Sequence, residues 1–445
     1  MSEASTGTHL PSGVRGALAA AWSRSDWLFG LVPQRRWASR SISLRHPFLF
    51  YVGHLPAFAH NQIAAVLGLP PHDPQLDALF ARGIDPADEA AARASGRAGW
   101  PPIERVLAYR DEVRGAVLDQ LGALDRASQE GIEGADTVLE LVLEHELMHH
   151  ETLLYMIARL DPGELQLPED WRPAVPGPAP TPQRIQIGPG TVRLGAEPDQ
   201  RSFGWDNEFP SQQVEVGALE MDRYPVTIEA YRSFVAAGGY RSPGLWRPAD
   251  WAWVVEQGLE APICWRRQGD DWVVRSLEGW HPIDRVGGWP AQVSLAEALA
   301  FCRWSGSRLP TEAELHRAAY TTPQGTQRPQ AWGAGPLEPA HGALDLAVCG
   351  RTPVGSHSAG RSAWGVDELV GNGWEWSSTP FLPRPGFEAI HPSYPGYSAD
   401  FFDGEHFVVF GGSWATDARL LRSSFRNWYQ ARYPFPFTSF RTLAP

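Results

Sequence analysis

The sequence predicts a multidomain α+β protein, in which an N-terminal helical bundle precedes an α+β domain with much irregular structure. Two observations lead to this prediction. The chain has 445 residues, which is more than one ordinary domain contains. Its hydrophobic pattern also changes, from helical spacing to short strand-like alternation, across a proline-rich segment. Hydrophobic residues make up 43% of the chain, so each part can bury a core of its own.

The first 160 residues carry apolar side chains at the i, i+3, i+4 spacing of helices that pack on one face. The segments with this spacing are 12–24, 46–67, 104–127 and 133–160. Residues 80–103 lack the pattern and are predicted to form a long irregular loop between two of the helices. We therefore predict a helical bundle over residues 12–160.

A proline-rich segment separates the bundle from the rest of the chain. Proline lacks the N–H group that helices and central strands need, so residues 161–183 are predicted to form an extended linker. In residues 184–445, short strand-like runs alternate with glycine turns, and two stretches, 227–239 and 294–306, have helical character. The second of these begins with Ser294 and Glu297 at the S-x-x-E spacing of a capping box.

Charge and composition exclude several classes of partner. The net charge is −13 and no basic stripe offsets it, so neither nucleic acid nor an anionic membrane is an expected partner. No apolar run approaches the ~18 residues of a membrane-spanning helix, and residues 1–16 lack the apolar core of a secretory signal. Cys264, Cys302 and Cys349 form no C-x-x-C pair, which fits a reducing compartment. We predict a cytoplasmic protein, and its oligomeric state stays open.

Two histidines of the helix predicted over 133–160 are spaced to bind one metal ion. His145 and His149 are four residues apart, so their imidazoles lie on the same helical face. A third ligand must come from another helix, and His54 is the best candidate because it stands in an apolar run. His60 competes for this role but lies nearly off the face of His54. Three neutral imidazoles with open coordination positions suit Fe(II) and O₂ activation, and Zn²⁺ would also accept them.

The same residues have other interpretations. His145-Glu146-x-x-His149 is also the zinc-protease signature, in which the glutamate is the general base. A solvated helical face that carries two histidines by chance is a further possibility. A protease would have a third ligand shortly downstream, where the proline-rich segment lies instead. Glu151 lies about 200° around the helix from His149, so we expect it to support the site or a neighbouring helix rather than bind the metal.

The pattern His145-x-x-x-His149-x-Glu151, with His54 upstream, resembles the ligand set of the sulfoxide synthases that make ergothioneine and ovothiol. In that family a DinB-like helical bundle supplies three iron-binding histidines. A second domain, similar to formylglycine-generating enzymes and C-type lectins, closes over the metal. The resemblance implies a non-heme Fe(II) enzyme with O₂ as co-substrate, which joins a sulfur or selenium atom to the imidazole of hercynine (trimethylated histidine).

The second half of the chain carries motifs of that domain along most of its length. They lie at 203–208, 224–227, 307–314, 371–376 and 411–414. Most of their glycine, tryptophan and glutamate residues are expected to hold the fold. A formylglycine-generating enzyme has its working cysteines just after the last motif, but this chain has none there. Copper–thiolate chemistry is therefore not expected.

The residues after the last motif line the substrate pocket in the family. By resemblance, Asn427 and Trp428 bind the betaine end of hercynine, whose quaternary ammonium has no N–H donors and needs aromatic faces or carbonyl oxygens around it. Met148 stands where many relatives place a glutamine that contacts the imidazole. Its soft side chain either contacts the substrate or only packs.

Other positions depart from the family. Ergothioneine synthases that use γ-glutamylcysteine follow the Asn-Trp pair with an aspartate and, four residues on, an arginine, which bind the charged ends of that donor. Here these positions are Tyr429 and Tyr433, which could stack on and hydrogen-bond a neutral sugar. The family's catalytic tyrosine corresponds to Phe381 and its next tyrosine to Arg384. Phe381 has no proton to give, so either Tyr429 or Tyr433 takes the catalytic role or the chemistry does not need it.

Selenoneine synthases form a branch of this family and join hercynine to a selenosugar. The donor positions fit that branch, so our leading hypothesis is formation of a carbon–selenium bond between hercynine and a selenosugar in selenoneine biosynthesis. The alternative is an ergothioneine- or ovothiol-type sulfoxide synthase, which joins a cysteine-type thiol to hercynine or histidine. Two more distant alternatives are a zinc hydrolase and a non-catalytic lectin-like module.

Overall fold

A computed structural model describes residues 13–81, 99–200 and 203–445, and these form two compact units. The helical unit comprises Met1–Pro168 and Ile390–Pro395, and the mixed unit comprises Glu169–Ala389 and Gly396–Pro445. The predicted fold class, a helical bundle followed by an α+β domain, is confirmed. Most of the loop predicted over 80–103 lies outside the described residues, and the limits predicted for the domains and the linker stay predictions.

Helices make up the regular structure of the described part of the helical unit. They are α1 (Val14–Gly30), α2 (Phe48–Leu67), α3 (Pro74–Phe80), α4 (Ile103–Gln129) and α5 (Val138–Ile157). The short α3 was not predicted; it begins after Asp73, whose carboxylate accepts hydrogen bonds from the first-turn N–H groups of Gln75 and Leu76. α2 packs against α3, α4 and α5, and α1 packs against α5.

α2 and α5 lie at the centre of the helical unit. Sixteen of the 20 residues of α2 are buried, and so are sixteen of the 20 residues of α5. A helix that is buried on all sides cannot place its polar side chains in water. The histidines of these two helices must therefore find partners inside the protein.

The mixed unit contains helices that the sequence predicted only in part. They are α6 (Ile228–Ala236), α7 (Pro248–Glu256), α8 (Leu295–Ser305), α9 (Glu312–Tyr320) and the short α10 (Gly396–Ala399). α6 and α8 match the two predicted helical stretches. The capping box predicted for α8 is present, because Ser294 Oγ accepts from the Glu297 N–H and the Glu297 carboxylate accepts from the Ser294 N–H at 2.7 Å.

Short strands form four small sheets in the described part of the mixed unit. The strands are β1 (Arg184–Ile187), β2 (Gly190–Leu194), β3 (Gln212–Val216), β4 (Leu219–Asp222), β5 (Trp265–Gln268), β6 (Asp271–Arg275), β7 (Trp280–Pro282), β8 (Trp374–Pro380), β9 (His406–Phe410), β10 (Asn427–Gln430) and β11 (Thr438–Ser439). β1 pairs with β4, β2 pairs with β3, and β5, β6 and β7 form a third sheet. The fourth has the order β10-β9-β8-β11, in which β11 runs parallel to β8. β10 is therefore an edge strand.

The proline-rich part of the mixed unit is hydrogen-bonded to the rest of that unit. The Val175 N–H donates to the Arg351 carbonyl at 3.0 Å, and the Val175 carbonyl accepts from the Trp289 indole at 2.6 Å. Two residues on, the Gly177 carbonyl accepts from the Gly288 N–H at 2.9 Å. A Cβ on Gly288 would lie 2.2 Å from the Pro178 carbonyl oxygen, so only glycine permits this approach.

Glu375, the centre of the Trp-Glu-Trp motif, holds the chain end to the sheet. Its carboxylate accepts from Arg441 Nε at 2.6 Å and from the Nη2 of the same guanidinium. Arg441 Nη1 also donates to the carbonyls of Asp222 and Arg223. Both partners of the ion pair are buried, so this motif glutamate stabilises the fold.

We expect Arg441→Met to lower the free energy of unfolding by about 3–5 kcal/mol, because it leaves the Glu375 carboxylate buried without its partner. Urea unfolding followed by tryptophan fluorescence measures the change. As a control, Arg184→Met breaks the partly exposed pair with Asp222 and should cost about 1 kcal/mol or less. Equal losses in the two variants would contradict the assignment.

Candidate metal centre

Three histidines converge inside the helical unit. Ligand-capable atoms of His54, His145 and His149 all lie within 4.8 Å of one another. The ring centroids of His145 and His149 are 4.5 Å apart, and each lies 5.2 Å from that of His54. Nitrogen ligands of one ion stand roughly 3–4 Å apart, so a small movement would place the three rings around a single metal. His60, which competed with His54 in the sequence, is not in this group.

A hydrogen bond fixes the tautomer of His54. Its Nδ1 lies 2.7 Å from the carbonyl oxygen of Phe80, the last residue of α3. A carbonyl only accepts, so Nδ1 carries the proton and Nε2 keeps its lone pair. Nε2 is buried and has no hydrogen-bond partner in the described part of the chain. A buried nitrogen lone pair that accepts no hydrogen bond has the properties expected of a metal ligand.

Burial keeps the three imidazoles neutral. It lowers the pKa of His54 from 6.5 to about 4, and it lowers the pKa values of His145 and His149 well below the ordinary range. His54 also lowers the pKa values of His145 and His149, and His149 lowers that of His145, because a second positive charge nearby would be repelled. Neutral imidazoles are the form that binds metal, so this set of donors fits a divalent transition metal.

Aromatic side chains limit the rotation of all three rings. Phe58 stacks on His145 with a centroid distance of 3.5 Å and an interplanar angle of 8°. Phe50 stacks on His54 at 5.1 Å, and Tyr51 lies 5.5 Å from His149. Phe50, Tyr51 and Phe58 belong to the apolar run that marked His54 as a candidate ligand, and each stands four or fewer residues from it. The centre is therefore largely preorganised.

Glu146 and His150 point away from the three histidines, toward α1. The Ser25 hydroxyl donates to the Glu146 carboxylate and lies 2.9 Å from His150 Nε2. All three side chains are buried, and burial raises the pKa of Glu146. A zinc protease needs this glutamate beside the metal as general base. Its engagement with Ser25 disfavours that interpretation.

Glu151 and Met148 flank His149 on α5 without joining the three-histidine group. Glu151 is buried, and Met148 is half-buried. The role predicted for Glu151 in supporting the site, and the substrate contact predicted for Met148, stay predictions.

The predicted substrate residues of β10 divide between the two faces of the strand, as alternation requires. On one face, Asn427 Nδ2 donates to the Tyr429 hydroxyl at 3.3 Å, and the Tyr429 ring stacks on Tyr433 at 6.1 Å. On the other face, Trp428 stacks on Phe381 at 4.0 Å with an angle of 8°. The structure thus brings these five residues together as two groups within the mixed unit, and their substrate contacts stay predictions.

Arg384 lies in a buried charge cluster. Its Nη2 is 3.3 Å from the Glu312 carboxylate, which also pairs with Arg426 at 3.0 Å. Burial lowers the pKa of Arg384 to about 10. Burial alone would raise the pKa of Glu312, but the two guanidiniums outweigh it and bring this pKa to about 2. Arg384 is thus engaged in an ion pair, and the fully buried Phe381 in ring stacking. Their contact with substrate stays a prediction.

Two family models match the chain. The DinB superfamily matches residues 17–153, and the sulfatase-modifying factor enzyme 1-like domain matches residues 173–444. A hercynine oxygenase of Mycolicibacterium thermoresistibile is 38% identical over 71% of this chain and 69% of that protein. The chain belongs to the hercynine oxygenase family. The family resemblance inferred from the sequence motifs is thereby confirmed.

Other members of the hercynine oxygenase family extend the match. The hercynine oxygenase of Mycolicibacterium smegmatis is 35% identical over 80% of each chain. The ergothioneine biosynthesis protein 1 of Neurospora crassa is 28% identical over 93% of this chain and 55% of its own length. The selenoneine branch is not distinguished by these matches. No described helix has the length and apolarity to cross a membrane.

Gly53→Ala tests whether Phe80 positions the metal ligand. A Cβ on Gly53 would lie 2.5 Å from the ring of Phe80, which is fully buried and whose carbonyl oxygen accepts the hydrogen bond from His54 Nδ1. We expect the free energy of unfolding to fall by about 1–3 kcal/mol and Co(II) binding to weaken about tenfold. Gly16→Ala is the control, because a Cβ there meets nothing. Wild-type Co(II) affinity in Gly53→Ala would contradict the role of Phe80.

His316 should make the folded chain sensitive to mild acid. Burial, with Arg384 and Arg426 nearby, lowers its pKa from 6.5 to about 4, against the opposing effect of Glu312. Between these pH values the unfolded chain binds a proton that the folded chain does not. The contribution of His316 to the free energy of unfolding is therefore fully present above about pH 6.5 and is lost as the pH falls toward 4. We expect His316→Gln to flatten this decline by about 1.4 kcal/mol per pH unit. Urea unfolding at pH 7.0, 6.0 and 5.0 measures it, and parallel pH profiles for the two proteins would contradict it.

Proposed function

We propose that this chain is a mononuclear non-heme Fe(II) oxidoreductase that uses O₂ to join a chalcogen atom to the imidazole of hercynine. One observation carries the proposal: three neutral imidazoles, His54, His145 and His149, converge in a member of the hercynine oxygenase family. Iron held by three protein ligands would supply O₂ activation and leave positions open for the substrate.

The protein residues bind and orient. The Phe80 carbonyl holds the proton of His54 on Nδ1, so the Nε2 lone pair would be available to the ion, and Phe58 stacks on the plane of His145. By family resemblance, the Asn427 amide and the Trp428 ring receive the betaine end of hercynine, whose quaternary ammonium favours an aromatic face. Joining a ring carbon to the chalcogen removes one hydrogen from each partner and two electrons in total, and O₂ accepts those electrons.

The relatives support a sulfur donor. Their names refer to hercynine and to ergothioneine biosynthesis, so a cysteine-type thiol is the donor that the comparisons back best. An amino-acid thiol carries a carboxylate and an ammonium group. A pocket that binds such a donor needs at least one side chain whose charge is available to it.

The surroundings of Tyr429 and Tyr433 favour a second candidate, a neutral donor such as a selenosugar. Every arginine between residues 420 and 435 already pairs with a carboxylate. The pairs are Arg422–Glu208, Arg426–Glu312 and Arg432–Asp250. The two tyrosines offer hydroxyl groups and stacked rings in place of charge. Carbon–selenium bond formation in selenoneine biosynthesis therefore remains part of the proposal, beside the sulfoxide-synthase reaction.

Anaerobic reconstitution with Fe(II) tests both levels of the proposal. The loaded protein receives hercynine and equal concentrations of a selenosugar, cysteine and γ-glutamylcysteine, then O₂, and mass spectrometry identifies the products. We expect an adduct of hercynine with a chalcogen donor. A selenosugar adduct would support the neutral-donor argument, and a cysteinyl or γ-glutamylcysteinyl adduct alone would contradict it while supporting the iron chemistry. No adduct, with tightly bound zinc, would contradict the whole proposal.

Two variants separate the iron enzyme from a zinc hydrolase. His54→Ala should abolish both iron binding and adduct formation, because it removes a ligand. Glu146→Gln should keep most of the iron, because its carboxylate faces Ser25 rather than the three histidines. As a donor control, Tyr429→Asp combined with Tyr433→Arg restores the charged pair of the γ-glutamylcysteine enzymes. This variant should move the products toward the γ-glutamylcysteine adduct.

A further inference from the structure

The segment Ile390–Pro395 belongs to the helical unit, although the residues on both sides of it belong to the mixed unit. It lies on α2 through two contacts. Gln62 Nε2 donates to the Ser393 carbonyl at 3.5 Å, and the Tyr394 ring meets the Phe58 ring edge-on, with centroids 5.2 Å apart. A turn shapes the segment, because the Tyr394 N–H donates to the His391 carbonyl at 2.9 Å.

The residues of α2 that hold this segment continue the face that carries the metal ligand. His54, Phe58 and Gln62 are spaced four residues apart, so they follow one another along the same side of the helix. The segment therefore contacts α2 one helical turn and two turns after His54, at Phe58 and Gln62. Phe58 and Gln62 are buried, whereas Tyr394 is half-buried and Ser393 is exposed.

Tyr394 reaches the metal centre through Phe58. Phe58 lies flat on the His145 imidazole at 3.5 Å, and Tyr394 stands against the edges of both rings, at 5.2 Å from Phe58 and 6.4 Å from His145. By these distances Tyr394 lies beside the stacked pair, at the edges of Phe58 and His145, rather than on the far side of Phe58. An edge-to-face contact of this kind restricts the ring that it meets.

We propose that Tyr394 is a positioning residue of the metal centre. Its ring packs against the edges of Phe58 and His145, so it limits the sideways movement of Phe58 across His145 and thereby the direction of the His145 lone pair. The aromatic ring carries this role, and the hydroxyl does not. The inference rests on the proposed function to the extent that the three histidines bind a metal.

Co(II) provides a test that does not depend on activity, because its visible bands report the geometry of its ligands. In the full chain, Tyr394→Leu should weaken Co(II) binding about tenfold and change the bands at saturating metal. Tyr394→Phe keeps the ring and should match wild type within about twofold. Phe58→Leu should reproduce the spectral change, and adding Tyr394→Leu to it should change nothing further, because Tyr394 acts through Phe58.

Tyr320→Leu is the matched control, since it removes a buried tyrosine ring from the mixed unit and should leave Co(II) binding unchanged. If Tyr394→Leu lowers only the melting temperature, with wild-type bands and affinity, its role is merely structural and the inference is wrong. If Tyr394→Phe also weakens Co(II), the hydroxyl matters and the inference is again wrong. If the wild-type chain gives no Co(II) bands, or keeps them in His54→Ala, the proposed function fails, and the inference fails with it.

Discussion

Burying three imidazoles side by side between α2 and α5 costs free energy unless each ring stays neutral and has a partner. This constraint shapes the rest of the helical unit. It requires a carbonyl acceptor for the His54 Nδ1–H, which the end of α3 supplies through Phe80. It also requires Gly53, because Phe80 can approach α2 only where that helix has no Cβ. The need of the His54 Nδ1–H for an acceptor thus determines where a separate helix must end.

The mixed unit solves a related problem with charged groups. Three of its buried glutamates pair with an arginine: Glu375 with Arg441, Glu208 with Arg422 and Glu312 with Arg426. These ion pairs connect distant stretches of chain that have little regular structure between them. They provide cross-links that backbone hydrogen bonds would provide in a larger sheet. The same pairing leaves the arginines around β10 without spare charge.

Much of the fold and of the centre could be predicted, for identifiable reasons. The bundle followed by an α+β domain follows from a change of period across the prolines, and His145 and His149 follow from a four-residue spacing that any helix converts into proximity. The features that the sequence did not predict depend mainly on contacts between residues far apart in the chain. α7 is short and carries no strong periodicity. α9 is also short, but Thr311 and Glu314 form a capping box at its start, a signal that the predictions did not use. Nothing local to Ser25 or Phe80 indicates a partner on a distant helix. Tyr394 was the hardest to predict, because the chain returns to the helical unit with the segment Ile390–Pro395 only after most of the mixed unit.

That return has a consequence for biosynthesis. The helical unit is not one continuous stretch of polypeptide, since its last piece is Ile390–Pro395. A chain emerging from the ribosome exposes all three histidines long before Tyr394 has been made, and N-terminal parts of proteins generally fold first. An ion captured at that stage would meet a centre that lacks one of its aromatic neighbours. During synthesis, the three histidines can therefore come together before the segment that carries Tyr394 has been made.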